Sequence, residues 1–305
     1  MINQTTITEF LLLGFSDVRE LQILHFITFL FIYLVTLTGN ILLIVTVAQH
    51  PKLYSPMYFF LVNLSFLDVN YISTIVPKSI FDSLLNNRQI SFSECIIQAF
   101  WVLTFASTEI FILTVMAYDR YVAICHPLQY RLIMNWNACF QMAAASWVCS
   151  SINGLVHTAN AWGLHFCSSN VLGNFFCDIP QLLALSCTDT TRNQGLLLAV
   201  GVFVGSFCFF FVFISYAYIF SAVFKIQSTE ARYKVFSTCI PHLTVFSLFI
   251  STASFSYLRP KAWSSLPMDM IAVILYTILP PLMNPIIYSL RNKEIKKCLM
   301  KMLKR

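Results

Sequence analysis

Long apolar runs alternate with short polar segments along this chain. A helix that crosses a lipid bilayer needs about 20 mostly apolar residues. Seven runs reach that length, and they predict spans at residues 21–48, 56–80, 95–124, 137–161, 195–226, 235–258 and 268–290. The segments between them are rich in proline and polar residues, as turns are. The pattern predicts an all-α membrane protein built as a seven-transmembrane helix bundle.

The predicted spans follow one another with no linker to a second domain. We therefore expect one domain over residues 1–305, with 1–20 before the first span, the bundle at 21–290 and a tail at 291–305. The one long loop, at 163–194, lies between spans four and five. Because the first residues lack the basic front of a cleavable signal peptide, the first span is expected to direct insertion.

Basic residues are distributed unequally between the two sides of the predicted bundle. One side holds 13 of them: Lys52, Arg120, Arg131, Lys225, Arg232, Lys234, Arg291, Lys293, Lys296, Lys297, Lys301, Lys304 and Arg305. The other side holds 6: Arg19, Lys78, Arg88, Arg192, Arg259 and Lys261. The richer side is predicted to be cytoplasmic, which places the N-terminus outside the cell. Asn3 begins an Asn-Gln-Thr glycosylation acceptor, which agrees with an extracellular N-terminus.

Composition supports a multi-pass membrane protein. The chain is 58% hydrophobic and only 10% charged, whereas soluble domains average about 25% charged residues. A net charge of +6 could suggest a nucleic-acid partner. Because the basic residues follow the predicted topology, we expect no nucleic acid and assign the plasma membrane.

The tail has apolar residues at helical spacing, namely Ile295, Leu299, Met302 and Leu303, with lysines between them. This pattern predicts a short amphipathic helix lying on the inner leaflet, with membrane lipid as its partner. Cys298 falls on the apolar side of that helix, where a palmitoylated and an unmodified thiol both fit the pattern.

Two carboxylic acids lie inside predicted spans. Asp68 is in span two and Glu109 is in span three, and ionisable groups at such depth usually face the bundle interior. Two neighbouring carboxylates cannot both be charged cheaply, so a sodium ion or a shared proton is expected there. The alternative is a pair of protonated acids with a packing role. No other cofactor and no metal site is predicted.

Proline and cysteine give two further expectations. Pro280, Pro281 and Pro285 should bend span seven. Asn284 could satisfy a backbone carbonyl that they free, or it could join a water network with Asp68. Four cysteines lie on the extracellular side: Cys95, Cys167, Cys177 and Cys187. Three pairings are open to them, and a bridge from Cys95 into the long loop would hold that loop over the bundle.

The outer halves of spans three and five carry uncharged stripes at helical spacing: Ala99, Val102, Leu103, Ala106, Ser107 and Ile110, then Leu197, Val200, Gly201, Val204 and Gly205. Such stripes suit a cavity for a small, neutral, apolar molecule, and they equally suit ordinary helix packing. The chain has no phosphate-binding loop, no GxSxG and no HExxH. Chemistry of an enzyme is therefore not expected.

Six segments occur in an order and spacing that resemble the olfactory (odorant) branch of the class A, rhodopsin-like G-protein-coupled receptors. They are Gly39-Asn40, PMYFFLVNLSFLD at 56–68, MAYDRYVAICHPLQY at 116–130, Ser215-Tyr216, KVFSTCIPHL at 234–243 and PPLMNPIIYSLRN at 280–292. The resemblance implies a receptor that binds small odorants in the outer half of the bundle. It also implies a stimulatory, olfactory-type heterotrimeric G protein and rising cyclic AMP.

The resemblance also assigns roles to single residues. Asp119, Arg120 and Tyr121 resemble the cytoplasmic switch, Asn284, Pro285 and Tyr288 resemble a second switch, and Tyr216 would close its water network. Asp68 and Glu109 resemble the ion site. Cys95–Cys177 and Cys167–Cys187 resemble the family's bridges. The pocket positions implied are Leu103, Ala106, Ser107, Ile110, Val204, Ile250, Ser254, Tyr257 and Thr277.

Some positions depart from that pattern, and two other functions stay open. Ile250 replaces the usual aromatic residue, and Val102 replaces the aspartate that grips amines, so amine ligands are not expected. A class A receptor for a non-odorant metabolite would share these motifs. A seven-helix transporter using Asp68 and Glu109 as a relay should show an inverted repeat, which the sequence lacks.

Overall fold

The structure, a computed structural model, describes residues 8–14, 16, 18–85, 87–166, 170–257 and 266–303. Its helices are α1 Arg19–Gln49, α2 Pro56–Leu85, α3 Phe92–Cys125, α4 Tyr130–Ile133, α5 Trp136–Trp162, α6 Ile179–Leu185, α7 Thr191–Phe224, α8 Thr229–Tyr257, α9 Leu266–Thr277, α10 Leu279–Arg291 and α11 Lys293–Leu303. Pro51–Leu53 forms a turn of 3₁₀-helix, and the strands are β1 Glu9–Leu12, β2 Gln89–Ser91 and β3 Val171–Leu172.

A long helix, or a pair of helices, lies at each of the seven predicted spans. Among the described residues, α1, α2, α3, α7 and α8 are each long and apolar enough to cross a membrane, and the α9–α10 pair makes a sixth if counted as one span. The remaining span is α5, with 27 residues, which is about 40 Å of helix. Its serine, asparagine and histidine side chains make it less apolar than α1, α2, α3 and α7.

Two helices extend well beyond their predicted spans. α8 begins at Thr229 rather than 235, where Ser228 Oγ accepts a hydrogen bond from the Ala231 N–H at 3.3 Å. α2 continues to Leu85 rather than 80. The apolar pattern marks where a helix can contact lipid, whereas the helix itself ends only where capping or a turn stops it.

Span seven is interrupted as its prolines predict. Its two parts, Met268–Thr277 and Leu279–Arg291, are bent by 41°. Pro280 and Pro281 stand in the first turn of α10, where the missing backbone N–H costs little. Pro285 stands inside α10.

Asn40, not Asn284, satisfies the carbonyl that Pro285 frees. Proline has no N–H to bond the carbonyl four residues earlier, which here belongs to Pro281. The Nδ2 atom of Asn40 on α1 donates to that Pro281 oxygen at 3.1 Å. Gly39 permits this approach, because a Cβ at Gly39 would lie 3.1 Å from Cγ of Pro285. Of the two roles predicted for Asn284, the one at this carbonyl is therefore filled by Asn40.

The chain forms two compact units. Unit 1 comprises Met1–Leu34, Asn70–Ser107 and Trp147–Val204, and unit 2 comprises Val35–Val69, Thr108–Ser146 and Gly205–Arg305. Each unit is described by itself below.

Unit 1 contains a small sheet that the apolar pattern did not predict. Its strand order is β2-β1-β3, with β1 antiparallel to β2 and parallel to β3. Phe10 of β1 is fully buried, and its ring meets those of Phe166 and Phe92 at 5.1 Å and 6.0 Å between centroids. The short apolar patch near the N-terminus is thus a strand that joins the loop before α3 to the loop after α5.

Candidate functional site

In unit 2, the C-terminal end of α3 carries a buried ion pair. The guanidinium of Arg120 bonds to the carboxylate of Asp119, with Nε donating to Oδ2 at 2.9 Å. The Asp119 side chain is fully buried and that of Arg120 is 13% exposed. The Tyr121 hydroxyl is 3.0 Å from Nε2 of His126. The three predicted switch residues therefore lie on one helix, with the charge of Arg120 balanced by its neighbour.

Tyr130 holds this pair from the following short helix. Its hydroxyl donates to Oδ1 of Asp119 at 2.7 Å. Burial, together with the negative charge of Asp119, raises the pKa of the Tyr130 phenol, so it remains a hydrogen-bond donor. Tyr130 closes the quoted 116–130 motif, but only the turn after α3 brings it back to Asp119.

Tyr216 on α7 bonds to His242 on α8. The Tyr216 hydroxyl lies 2.8 Å from Nδ1 of His242, and Nε2 of His242 lies 2.8 Å from the Leu113 carbonyl oxygen. A carbonyl only accepts, so Nε2 carries the proton and Nδ1 accepts from Tyr216. The two rings are stacked at 5.6 Å. The two bonds link α3, α7 and α8. His242 lies in the quoted segment at 234–243, but the sequence assigns it no partner.

The two intramembrane acids lie together in unit 2, joined by Asn284 of α10. Nδ2 of Asn284 donates to both carboxylate oxygens of Asp68 at 3.1 Å and to Oε1 of Glu109 at 3.3 Å. All three side chains are buried. Within the described ranges no lysine or arginine bonds to either acid.

Two polar atoms beside these acids are buried without a hydrogen-bond partner among the described residues: Oδ1 of Asn284 and the hydroxyl of Tyr288. Buried polar atoms normally have a partner. The second predicted switch therefore adjoins the predicted ion site. Oδ1 of Asn284 is an oxygen that could bind a cation or a water molecule.

In unit 1, a disulfide joins Cys95 of α3 to Cys177 of the long loop, with Cα atoms 5.3 Å apart. This confirms one of the implied bridges. The buried Gln98 braces it, since its Nε2 donates to the Thr74 carbonyl at 2.9 Å and its Oε1 accepts from the Cys177 N–H at 2.8 Å. Cys187 is disulfide-bonded, whereas Cys167, its expected partner, and Asn3, the glycosylation acceptor, lie outside the described residues.

Four of the nine pocket positions belong to unit 1. On α3, Leu103, Ala106 and Ser107 are partly exposed, whereas Thr104 and Phe105 between them are buried. Val204 of α7 is also partly exposed. Of the six residues in the predicted α3 stripe, these three are partly exposed, whereas Ala99, Val102 and Ile110 are buried.

The other five positions belong to unit 2. Ile110 and Thr277 are buried, and the Thr277 hydroxyl donates to the Val273 carbonyl of its own helix at 2.7 Å. Ile250 and Ser254 of α8 are partly exposed. Tyr257 is exposed and its ring contacts that of Tyr276 at 5.2 Å.

A small cavity in unit 1 lies away from all nine positions. It has a volume of about 20 Å³ and is lined by Leu12, Leu13, Gly14, Ser16, Gln22, His25, Ser79, Asp82, Ser83, Arg88 and Phe175. This volume accommodates about one water molecule. The cavity is therefore too small for an odorant-sized ligand.

Comparison with known proteins is consistent with this arrangement. A family model described as "Olfactory receptor" matches residues 29–305. Olfactory receptor 14C36 of Homo sapiens is 49% identical over 305 residues, with 100% of this chain and 98% of that protein covered. Olfactory receptor-like protein OLF1 of Canis lupus familiaris is 47% identical over 294 residues, with 96% and 94% covered.

The fold is similar to that of squid rhodopsin. The TM-score is 0.73 at 18% sequence identity, with 95% of this chain and 87% of the rhodopsin chain covered. The seven-helix architecture is therefore shown by structure, and the family is shown by sequence. The chain belongs to the olfactory receptor family of G-protein-coupled receptors, and it is a multi-pass membrane receptor for small molecules, acting with a heterotrimeric G protein, rather than an enzyme.

Proposed function

We propose that the protein binds small, mostly apolar, neutral odorants in the outer half of its helix bundle and activates a stimulatory, olfactory-type G protein, which raises cyclic AMP. The observation that carries this proposal is the Asp119–Arg120 pair with Tyr130 bonded to the same carboxylate. It is a charge held by breakable contacts at the end of α3, where a cytoplasmic partner could reach it.

The resting and active states differ, in this proposal, at Arg120. The Asp119 carboxylate keeps the guanidinium in place at rest, and the active state releases it toward the G protein. An odorant shifts the population only by binding the active state better than the resting state. The Tyr216–His242 bond joins the inner parts of α7 and α8, so movement of α8 would have to stretch or break it.

The proposed orientation places the N-terminus outside and the C-terminus in the cytoplasm. In α11, Lys293, Lys296, Lys297 and Lys301 are exposed whereas Ile295 is fully buried. An amphipathic helix with this arrangement suits the anionic inner leaflet. The N-terminal strand and the Cys95–Cys177 bridge would then lie on the extracellular side.

A sodium ion or a proton is proposed at Asp68 and Glu109. Hard cations prefer oxygen ligands, and the two carboxylates together with the unpartnered Oδ1 of Asn284 supply them. The bound charge would offset the repulsion between the two acids. Because Asn284 belongs to α10, the site would also tie α10 to α2 and α3 in the resting state.

The experiment is a screen of chemically varied neutral odorants in cells that carry a cyclic AMP reporter and the olfactory-type stimulatory G protein. We expect at least one odorant to raise cyclic AMP in a dose-dependent manner in cells that carry the receptor at their surface. Replacement of that G protein by an inhibitory one should abolish the rise. Activation only by a polar or charged metabolite, or through another G-protein class, would contradict the proposal.

A further inference from the structure

In unit 1, one hydrogen bond orients the hydroxyl of Ser107, a partly exposed residue of α3. Nδ2 of Asn153 on α5 donates to Oγ of Ser107 at 3.2 Å. Ser107 shares its face with Leu103 and Ala106, which are also partly exposed. Ser107 is therefore the one hydrogen-bonding side chain of these three.

The chemistry of this bond determines what Ser107 can offer. A serine hydroxyl has one donor hydrogen and two acceptor lone pairs, whereas an amide NH₂ group can only donate. Asn153 therefore occupies a lone pair of Ser107 and leaves its hydrogen available. Thr158 gives the corresponding hydrogen to the Gly154 carbonyl at 2.8 Å. In the part of the chain that the structure describes, Ser107 makes no such bond to its own helix.

The approach of α5 to α3 is fixed next to this bond. Gly154 follows Asn153 directly, and a Cβ at Gly154 would collide with Oγ1 of Thr104 and lie 3.2 Å from the ring of Phe100. The glycine therefore allows a close contact that a larger side chain would prevent. Close packing at this point limits the positions that Asn153 can take relative to Ser107.

We propose that Ser107 donates a hydrogen bond to an oxygen acceptor on the odorant, and that Asn153 is the positioning residue that keeps it a donor. The inference rests on the proposed odorant-binding function and narrows it. Leu103 and Ala106 provide an apolar surface beside the hydroxyl. The ligand class is therefore a neutral molecule with an apolar body and a carbonyl or ether oxygen, such as a ketone, an aldehyde or an ester.

The test compares methyl ketones with terminal alkenes in which a C=CH₂ group replaces the C=O group, so that shape is nearly conserved. The chains studied are the wild type, Ser107→Ala, Asn153→Leu, the double variant and the control Asn160→Leu. Asn160 is an exposed asparagine on the same helix. Activation is read both as cyclic AMP and by G-protein dissociation sensors, at matched surface expression.

We expect ketones to activate the wild type and the Asn160→Leu control at concentrations about 3- to 10-fold lower than the matched alkenes, which is the effect of one hydrogen bond. Ser107→Ala and Asn153→Leu should each abolish most of that ratio. The double variant should match Ser107→Ala alone, because Asn153 acts through Ser107.

Three outcomes would overturn the inference. Equal responses to ketones and alkenes in the wild type would exclude a donor at Ser107. A ketone preference that survives in Asn153→Leu would remove its positioning role. Silence of the wild type toward the whole series in both readouts would instead contradict the proposed odorant function, and the inference with it.

Discussion

The Tyr130 hydroxyl donates a 2.7 Å hydrogen bond to the Asp119 carboxylate that also binds Arg120. The first residue of α4 thereby adds a hydrogen bond to the carboxylate that holds the arginine. A phenol whose pKa is raised by burial and by Asp119 stays protonated through the physiological range. In the proposed mechanism the resting state therefore depends on Asp119, Arg120 and Tyr130, and Tyr130 lies outside the Asp119-Arg120-Tyr121 triplet.

Tyr130→Phe should therefore raise basal cyclic AMP. Loss of one hydrogen bond to a charged group costs about 1.5–3 kcal/mol. Because the proposed resting state makes this bond and the active state does not, its loss shifts the population toward the active state. The control is Tyr233→Phe, since Tyr233 is exposed. The substitution keeps the ring that contacts Lys293. Basal signalling equal to the wild type at equal surface expression would argue against a restraining role for Tyr130.

Tyr216→Phe and His242→Phe should each lower the melting temperature of the purified receptor. Tyr216→Phe leaves Nδ1 of the buried His242 without its donor, which costs about 1–3 kcal/mol. His242→Phe removes the bonds to both Tyr216 and the Leu113 carbonyl. The double variant should lose less than the two single losses combined, because both act on one bond. Additive losses would indicate that the contact contributes no energy of its own.

The Asp68–Glu109 site predicts a stability that depends on sodium or on protons. Thermal unfolding of the wild type should move to higher temperature when sodium replaces choline, or should change with pH if a shared proton is the ligand. Asp68→Asn should abolish the dependence, because one of the two acids is gone. A wild type that is insensitive to both conditions would rule out an ion or a shared proton there.

Gln98→Leu should reduce delivery to the cell surface, and Cys95→Ser should reduce it further. The leucine removes two hydrogen bonds, to the Thr74 carbonyl and from the Cys177 N–H, and leaves buried backbone groups unpaired. The serine removes the bridge to Cys177. Antibody staining of intact cells measures both, with the exposed Gln89 replaced by leucine as the control. Normal surface levels for Cys95→Ser would show that the bridge is dispensable.

The apolar pattern predicted the long helices because lipid requires long apolar runs wherever a helix crosses. The prolines predicted the interruption of span seven, because proline acts on the backbone locally. β1 escaped prediction, since a four-residue strand depends on partners near residues 89 and 171. The bonds of Tyr130, His242 and Asn40 escaped for the same reason. Each bond joins polar groups on different helices, and a single sequence does not show which polar groups meet.

The two intramembrane acids show which part of a polar site a sequence predicts and which part only the structure shows. Their cost in the membrane suggested that Asp68 and Glu109 meet, and one amide of Asn284 joins them. Asn40, rather than Asn284, bonds to the Pro281 carbonyl that Pro285 frees. Physical cost indicates that a polar group must have a partner, but geometry decides which partner it has.

Arg120→Ala tests the central claim most directly. Odorant-driven cyclic AMP is measured in the wild type, Arg120→Ala, Arg120→Gln and the control Arg131→Ala, in which an exposed arginine of α4 is removed. Arg120→Gln serves as a second variant because it keeps a hydrogen-bond donor beside the buried Asp119. We predict that both Arg120 variants reach the surface and lose the cyclic AMP response, whereas Arg131→Ala retains it. A normal odorant response from either Arg120 variant would contradict the proposed switch.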